Sequence, residues 1–266
     1  MHPLLFHFGH IAIPTYGVCT AAALLMALAI AMACAQRAGL NTEKVWNLGL
    51  LAILTTLFGS RLLMIFAHPL LFRAHPFWVL GMVAGPGAWF ALGGVVAGLM
   101  AAALYALAEG LPLLRTADAL APAVALAFSI NRVGAFWAGL AWGTPTRLPW
   151  GVVYRSPVAY LWYRVPLGVA MQPVQLYDAA VSLGLFLLLV WMGRPGRAGR
   201  DGEIAGTWLF AYGVARFFLE FLRGDPERLP LFGGAMTLAQ ALSVLAVLAG
   251  AALWLQREPA IARQNV

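Results

Sequence analysis

Long apolar blocks fill this chain, and short polar joints separate them. Seven blocks stand out, at roughly 15–35, 46–66, 88–108, 119–140, 173–192, 205–222 and 236–255. Each is close to the run of about 20 mostly apolar residues that a helix needs to cross the hydrocarbon of a bilayer. The pattern predicts an all-α integral membrane protein with about seven transmembrane helices.

Two stretches break the pattern. Residues 67–87 carry His68, His75, Trp78 and the turn Gly85-Pro86-Gly87. Residues 141–172 carry Pro145, Pro149, Pro157 and Pro166, with Trp142, Trp150, Tyr154, Tyr160, Trp162 and Tyr163 between them. Proline at that density argues against a further helix, and Trp and Tyr favour the membrane interface. Residues 141–172 are expected to form a small extracytoplasmic head within a single membrane domain covering 1–266.

Composition narrows the class. The chain is 62% hydrophobic and only 10% charged, against about 25% charged in a soluble domain. Its surface must be covered by lipid. A net charge of +7 raises the possibility of nucleic acid. The basic residues, all arginine except Lys44, are however scattered between the apolar blocks. Nucleic-acid readers gather theirs into a stripe, so no nucleic-acid partner is expected.

Charge in the joints predicts orientation. One set of block ends holds Arg37, Lys44, Arg115, Arg194, Arg197, Arg200, Arg257 and Arg263. The other holds Arg73, Arg147, Arg155, Arg164, Arg223 and Arg228. The richer set belongs in the cytoplasm. That places the C-terminus there and, with seven spans, the N-terminus outside. Met1 to Gln36 contains no Lys or Arg, so the first block lacks the basic start of a signal peptide and is expected to be a retained helix. Cys19 and Cys34 share that block and read as packed thiols. The histidines form no ligand-spaced cluster with carboxylates, so neither a metal nor another cofactor is expected.

Ionisable residues inside apolar blocks are costly and mark candidate sites. Arg61 closes the second block, where it either snorkels to the interface or serves a site. Asn131 and Arg132 lie well inside the fourth. In the sixth, Tyr212, Arg216 and Glu220 follow at i, i+4 and i+8 and share one helical face; Arg223 extends it. An Arg216–Glu220 pair can neutralise itself. Arg132 and Arg223 would then lack acidic partners in the membrane, and a lipid phosphate is a suitable anion for them. Gln175 and Asp178 sit at i, i+3 near the start of the fifth block, after Pro173, a residue suited to helix starts. Asp178 either pairs with a buried arginine structurally or orients it toward a substrate.

An ordered set of motifs runs through these blocks. It comprises Tyr16-Gly17, Gly59-Ser60-Arg61, Gly93-Gly94, Asp118-Ala-Leu-Ala-Pro122, Asn131-Arg132-Val133-Gly134 and Trp142-Gly143. Gln172-Pro173-Val174-Gln175-Leu176-Tyr177-Asp178 and Tyr212-Gly213-Val214-Ala215-Arg216 through Glu220 and Arg223 follow. In order and spacing the set resembles the prolipoprotein diacylglyceryl transferases over nearly the whole chain. The resemblance implies transfer of the diacylglyceryl group of phosphatidylglycerol to the cysteine thiol of a lipoprotein precursor's signal peptide, with release of glycerol phosphate. It implies a bacterial inner-membrane enzyme, and a monomer is expected.

On the resemblance, Arg132, Arg216, Glu220 and Tyr16 are catalytic candidates. Arg61, Asn131, Gly93, Gly94, Tyr212, Arg223, Gln175, Tyr177 and Asp178 are candidates for phospholipid binding. The chain departs from the family pattern at four polar positions. Leu92 replaces a histidine before Gly93-Gly94, Ala135 an asparagine, Leu140 or Ala141 a glutamate, and Gln172 a histidine. Glu220 and His68 are the candidates for a replacement base. Two other readings stand beside the transferase: a divergent paralogue using the same lipid pocket for another acceptor, and a lipid-binding or transport protein without catalysis.

Overall fold

The computed structural model describes residues 2–8, 11–70, 88–197, 199–226 and 228–256. His75, Trp78, Arg73, Arg257 and Arg263 lie outside them.

The apolar blocks become helices with ends close to those expected. They are α1 (Thr15–Arg37), α2 (Thr42–Ala67), α3 (Ala88–Ala108), α4 (Leu113–Ala138), α6 (Val174–Met192), α7 (Glu203–Leu219) and α8 (Leu238–Leu255). Six of these, all but α7, are long and apolar enough to cross a membrane. The chain is a multi-pass, mostly helical membrane protein. The sixth block gives α7, which has 17 residues and tightens into a 3-10 turn at Glu220–Leu222.

Local chemistry sets several ends. Asn41 caps α2 by accepting the Lys44 amide at 3.1 Å. Thr237 and Gln240 form a reciprocal capping box at the start of α8. Gly139 ends α4 in the left-handed region, φ 85°, where a Cβ is unfavourable. Pro122 sits inside α4 and has no amide hydrogen for the carbonyl one turn back.

Helix α4 is the axis of the bundle, in contact with α1, α6 and α7, while α2 pairs with α3 and α7 with α8. Of its most apolar window 44% is buried inside the protein, against 6% for α2. Small side chains allow this: Ala119 and Ala123 meet Ala31, Ala35 and Val45, and Ala121 and Ala125 meet Leu189 and Ala205. The α2–α3 pair uses glycine. A Cβ on Gly94 would lie 2.5 Å from the Thr56 carbonyl oxygen and one on Gly98 would collide with Thr56 Oγ1. This is close packing of the small-xxx-small kind found between membrane helices.

Three short antiparallel hairpins stand outside the long helices. Strands β1 (Leu4–Phe8) and β2 (Ile11–Pro14) precede α1; β5 (Pro230–Leu231) and β6 (Met236–Thr237) precede α8. Strands β3 (Val152–Val153) and β4 (Ala170–Met171) pair within the proline-rich stretch. The expectation of no helix there needs correction. Pro157–Tyr163 forms a seven-residue helix, α5, with its proline in the first turn, where a missing amide hydrogen costs nothing. Trp142, Tyr154, Ala159, Val165 and Met171 give this stretch a small core of its own.

Candidate active site

The ends of α4, α6 and α7 bring the intramembrane charges together. Arg132 Nε meets Asp178 Oδ2 at 2.7 Å, joining α4 to α6. Arg132 keeps a quarter of its side chain accessible, whereas Asp178 is buried. Tyr212 of α7 lies against Arg132 and within electrostatic reach of Asp178 and Arg216. Phe128 and Trp208 pack on the Tyr212 ring, edge-on at 5.2 Å and stacked at 5.8 Å. Tyr212 is therefore fixed beside the guanidinium.

Below it runs a second cluster around Glu220, which is fully buried. Arg216 Nη2 lies 2.7 Å from Glu220 Oε2, Arg223 Nη1 3.2 Å from the same oxygen, and Arg228 Nε 3.4 Å from Oε1. Arg223 also grips Asp225 with both branches of its fork, at 2.8 and 2.6 Å. Arg228 donates to the Arg223 carbonyl at 3.1 Å.

This corrects the expectation that Arg132 and Arg223 lack acidic partners in the membrane. Asp178 pairs with the first; Glu220 and Asp225 pair with the second. Among the described residues, four guanidinium groups face three carboxylates, an excess of one guanidinium. A phosphodiester carries one negative charge. Three arginines converge on the Glu220 carboxylate and occupy both of its oxygens. Its geometry is that of a group that holds arginines in place.

The other candidates divide into two sets. Tyr16 and Asn131 adjoin the cluster's α4 side. Tyr16 donates to Asn131 Oδ1 at 3.4 Å, and the Asn131 amide donates to Thr20 Oγ1 at 2.9 Å, tying α1 to α4. Gln175 faces the proline-rich stretch, where its amide donates to the Leu140 carbonyl at 2.8 Å and to the Tyr154 hydroxyl at 3.1 Å. Burial pushes the Tyr154 phenol up to about 12, against the opposing pull of the Gln175 hydrogen bond. Tyr177 accepts from Trp150 Nε1 at 2.7 Å. These two residues fasten the start of α6 to the stretch after α4.

Arg61, Gly93 and Gly94 belong to the α2–α3 pair. A Cβ on Gly93 would collide with Leu63, as one on Gly94 would with Thr56 and Ser60. At Gly94 the neighbour is backbone, so the two helices approach most closely there. His68 closes α2 and meets Phe90 edge-on at 5.9 Å; it is exposed. Asp118 lies near the start of α4, toward the other end of the bundle.

Asp225, Arg228, Thr20 and Tyr154 escaped the sequence reading. One signal was available for the first two. After Glu220 the charges run Arg223, Asp225, Glu227, Arg228 across a Gly-Asp-Pro turn, so acids and arginines lie within a few residues of one another.

Backbone pairing holds this region in register. Gly143 and Arg223 form an antiparallel bridge, with the Thr144 amide donating to the Leu222 carbonyl at 2.8 Å and the Gly224 amide to the Trp142 carbonyl at 3.0 Å. A Cβ on Gly143 would collide with the Gln172 carbonyl oxygen. Gly143→Ala is therefore expected to cost about 1–3 kcal/mol, the scale of overpacking. A thermal melt in detergent checks this, and an unchanged Tm contradicts it.

Fold and site together define a multi-span membrane protein with a clustered, partly accessible arginine site at one end of its bundle. Comparison with known proteins is specific. Residues 3–256 match the model of the family described as prolipoprotein diacylglyceryl transferase. The chain belongs to that family. Its relatives include proteins that bear the name phosphatidylglycerol–prolipoprotein diacylglyceryl transferase. The one from Vibrio vulnificus is 30% identical over 94% of this chain and 89% of its own length. The Ruegeria pomeroyi protein is 33% identical over 86% and 80%. The Clostridium tetani protein is 29% identical over 85% and 87%.

Proposed function

We propose that this chain transfers the diacylglyceryl group of phosphatidylglycerol to the lipobox cysteine thiol of prolipoproteins and releases glycerol phosphate. The observation that carries the reading is the cluster of Arg132, Arg216, Arg223 and Arg228, four guanidinium groups against three carboxylates among the described residues, set in a chain that matches the family over residues 3–256. The thiol sulfur attacks the glyceryl carbon bonded to the phosphodiester oxygen. A C–S bond forms and the C–O bond breaks; the thiol proton is lost to solvent, and the electron pair leaves with glycerol phosphate, which departs with one more negative charge than the phosphodiester carried. Negative charge gathers on the departing phosphate, so cationic donors fixed beforehand lower the barrier. Arg132 and Arg216 supply them, held by Asp178 and Glu220. Leu92 cannot accept a proton and Glu220 is committed to arginines, so neither is assigned as base.

We also read α7 with its 3-10 turn, about 20 residues in all, as a seventh span. Lys44 pairs with Glu109 at 3.1 Å and Arg115 with Asp201 at 3.0 Å at the end where Arg37, Arg194, Arg197 and Arg200 also lie. That bias favours a cytoplasmic C-terminus, an extracytoplasmic N-terminus, and an extracytoplasmic head at 141–172 beside the arginine site.

Purified protein in phosphatidylglycerol micelles, given a lipobox peptide, is expected to yield the thioether, seen as a mass shift. The same peptide with Ser for Cys should give none. Absence of product from the cysteine peptide overturns the assignment.

A further inference from the structure

A second arginine-rich feature lies at the opposite end of the bundle, about 25 Å along α4 from Arg132 at the helical rise. There the ends of α1, α4, α6 and α7 surround a cleft that opens outward. Arg37, Arg115, Arg194, Arg197 and Arg200 line it, with Asp118, Asp201 and Glu203.

The acids are already committed. Asp201 takes Arg115 at 3.0 Å and Glu203 takes Arg197 at 2.8 Å. Asp118 is spent on two backbone amides, those of Gly202 at 2.7 Å and Ala205 at 2.8 Å. Arg37 and Arg194 have no carboxylate partner among the described residues. Arg194 lies over the Trp191 ring at 4.6 Å. The Nη1 of Arg197 is buried without a hydrogen-bond partner. The deeper wall is apolar, with Cys34, Pro122, Leu189 and Ile204.

We propose that this cleft is a second lipid site, which holds the phosphodiester headgroup of an anionic phospholipid from the leaflet at that end. Among the described lining residues five guanidinium groups stand against three acids, an excess of two, and arginine forks suit phosphate oxygens. The buried Arg197 Nη1 supplies an unused donor. The apolar wall continues from the headgroup toward the acyl region, which a free anion would not need. Basic pockets between membrane helices are suited to anionic headgroups. The ligand here is a bound lipid, not a reactant: no thiol-directed chemistry reaches this end.

The test uses full-length protein and a phosphatidylglycerol carrying a photoactivatable headgroup, with labelled peptides mapped by mass spectrometry. Labelling is expected in the α6–α7 connection, beside that at the Arg132 end. Excess phosphatidylglycerol should suppress it; phosphatidylethanolamine and millimolar inorganic phosphate should not. Arg37→Gln/Arg194→Gln should lower labelling at this connection by about tenfold or more, the scale of two basic groups beside an anionic surface. Transfer to the lipobox peptide and the melting point in detergent should not change. Absence of label at this end, label indifferent to the double substitution, or displacement by inorganic phosphate as readily as by lipid would each overturn the proposal. Should the double variant not fold, wild-type mapping and competition decide alone. The transfer assay fails or succeeds independently, so this site and the proposed reaction are judged separately.

Discussion

Replacing Arg132 with Lys is expected to lower kcat for diacylglyceryl transfer by about two to three orders of magnitude, the scale seen when one preorganised donor to a developing oxyanion is lost. KM for phosphatidylglycerol should move far less. The reason is geometric. Arg132 gives its Nε to Asp178 at 2.7 Å and still presents the rest of a planar fork, beside Tyr212, to an accessible space. A lysine ammonium is one point charge on a flexible stem. It can meet Asp178 or the phosphate, but it cannot hold one rigidly while serving the other. The departing phosphate accumulates charge only as the C–O bond breaks, so the loss falls on the transition state. Steady-state kinetics with the lipobox peptide check this. Unchanged kcat, or a loss confined to KM, contradicts the role.

The second large effect is on stability. Glu220→Gln is expected to cost about 3–5 kcal/mol, the penalty for removing one partner of a buried ion pair, and to lower Tm by about 10 °C, since each kcal/mol shifts a domain of this size by a few degrees. The substitution keeps the shape and removes the charge. Arg216, Arg223 and Arg228, all mostly buried, then converge on a neutral amide, with Asp225 still paired to Arg223. Activity should fall because Arg216 loses its anchor. A catalytic base in this position would behave differently: kcat would collapse while Tm stayed in place. Measuring both separates the two roles.

Much of the fold follows from the apolar pattern because a bilayer demands it. Span length is fixed by hydrocarbon thickness, so blocks of the right length become α1, α2, α3, α4, α6 and α8, although α2 and α4 begin four and six residues before the blocks at 46–66 and 119–140. The interior position of α4 was also legible, since Asn131 and Arg132 exclude it from lipid. So was the shared face of Tyr212, Arg216 and Glu220, which helical spacing dictates. What escaped depends on residues distant in the chain or beyond a helix end. Asp178 gave no sign of choosing Arg132 over another arginine. Asp225 and Arg228 follow α7, where helical periodicity no longer predicts a face, and their role emerges only when the turn folds back on Glu220. Pro157 read as an obstacle to helix, yet its location at a helix start makes it compatible with α5.

The two bonds from Asp118 to the amides of Gly202 and Ala205 bear on biogenesis. Helix α7 has no side-chain cap from its own N-terminal flank; the cap is on α4, made much earlier on the ribosome. The receptor for the start of α7 is thus in the membrane before α7 emerges. Synthesis order and assembly order agree, and the helix that carries Arg216 and Glu220 is seated at its far end by a residue already in place.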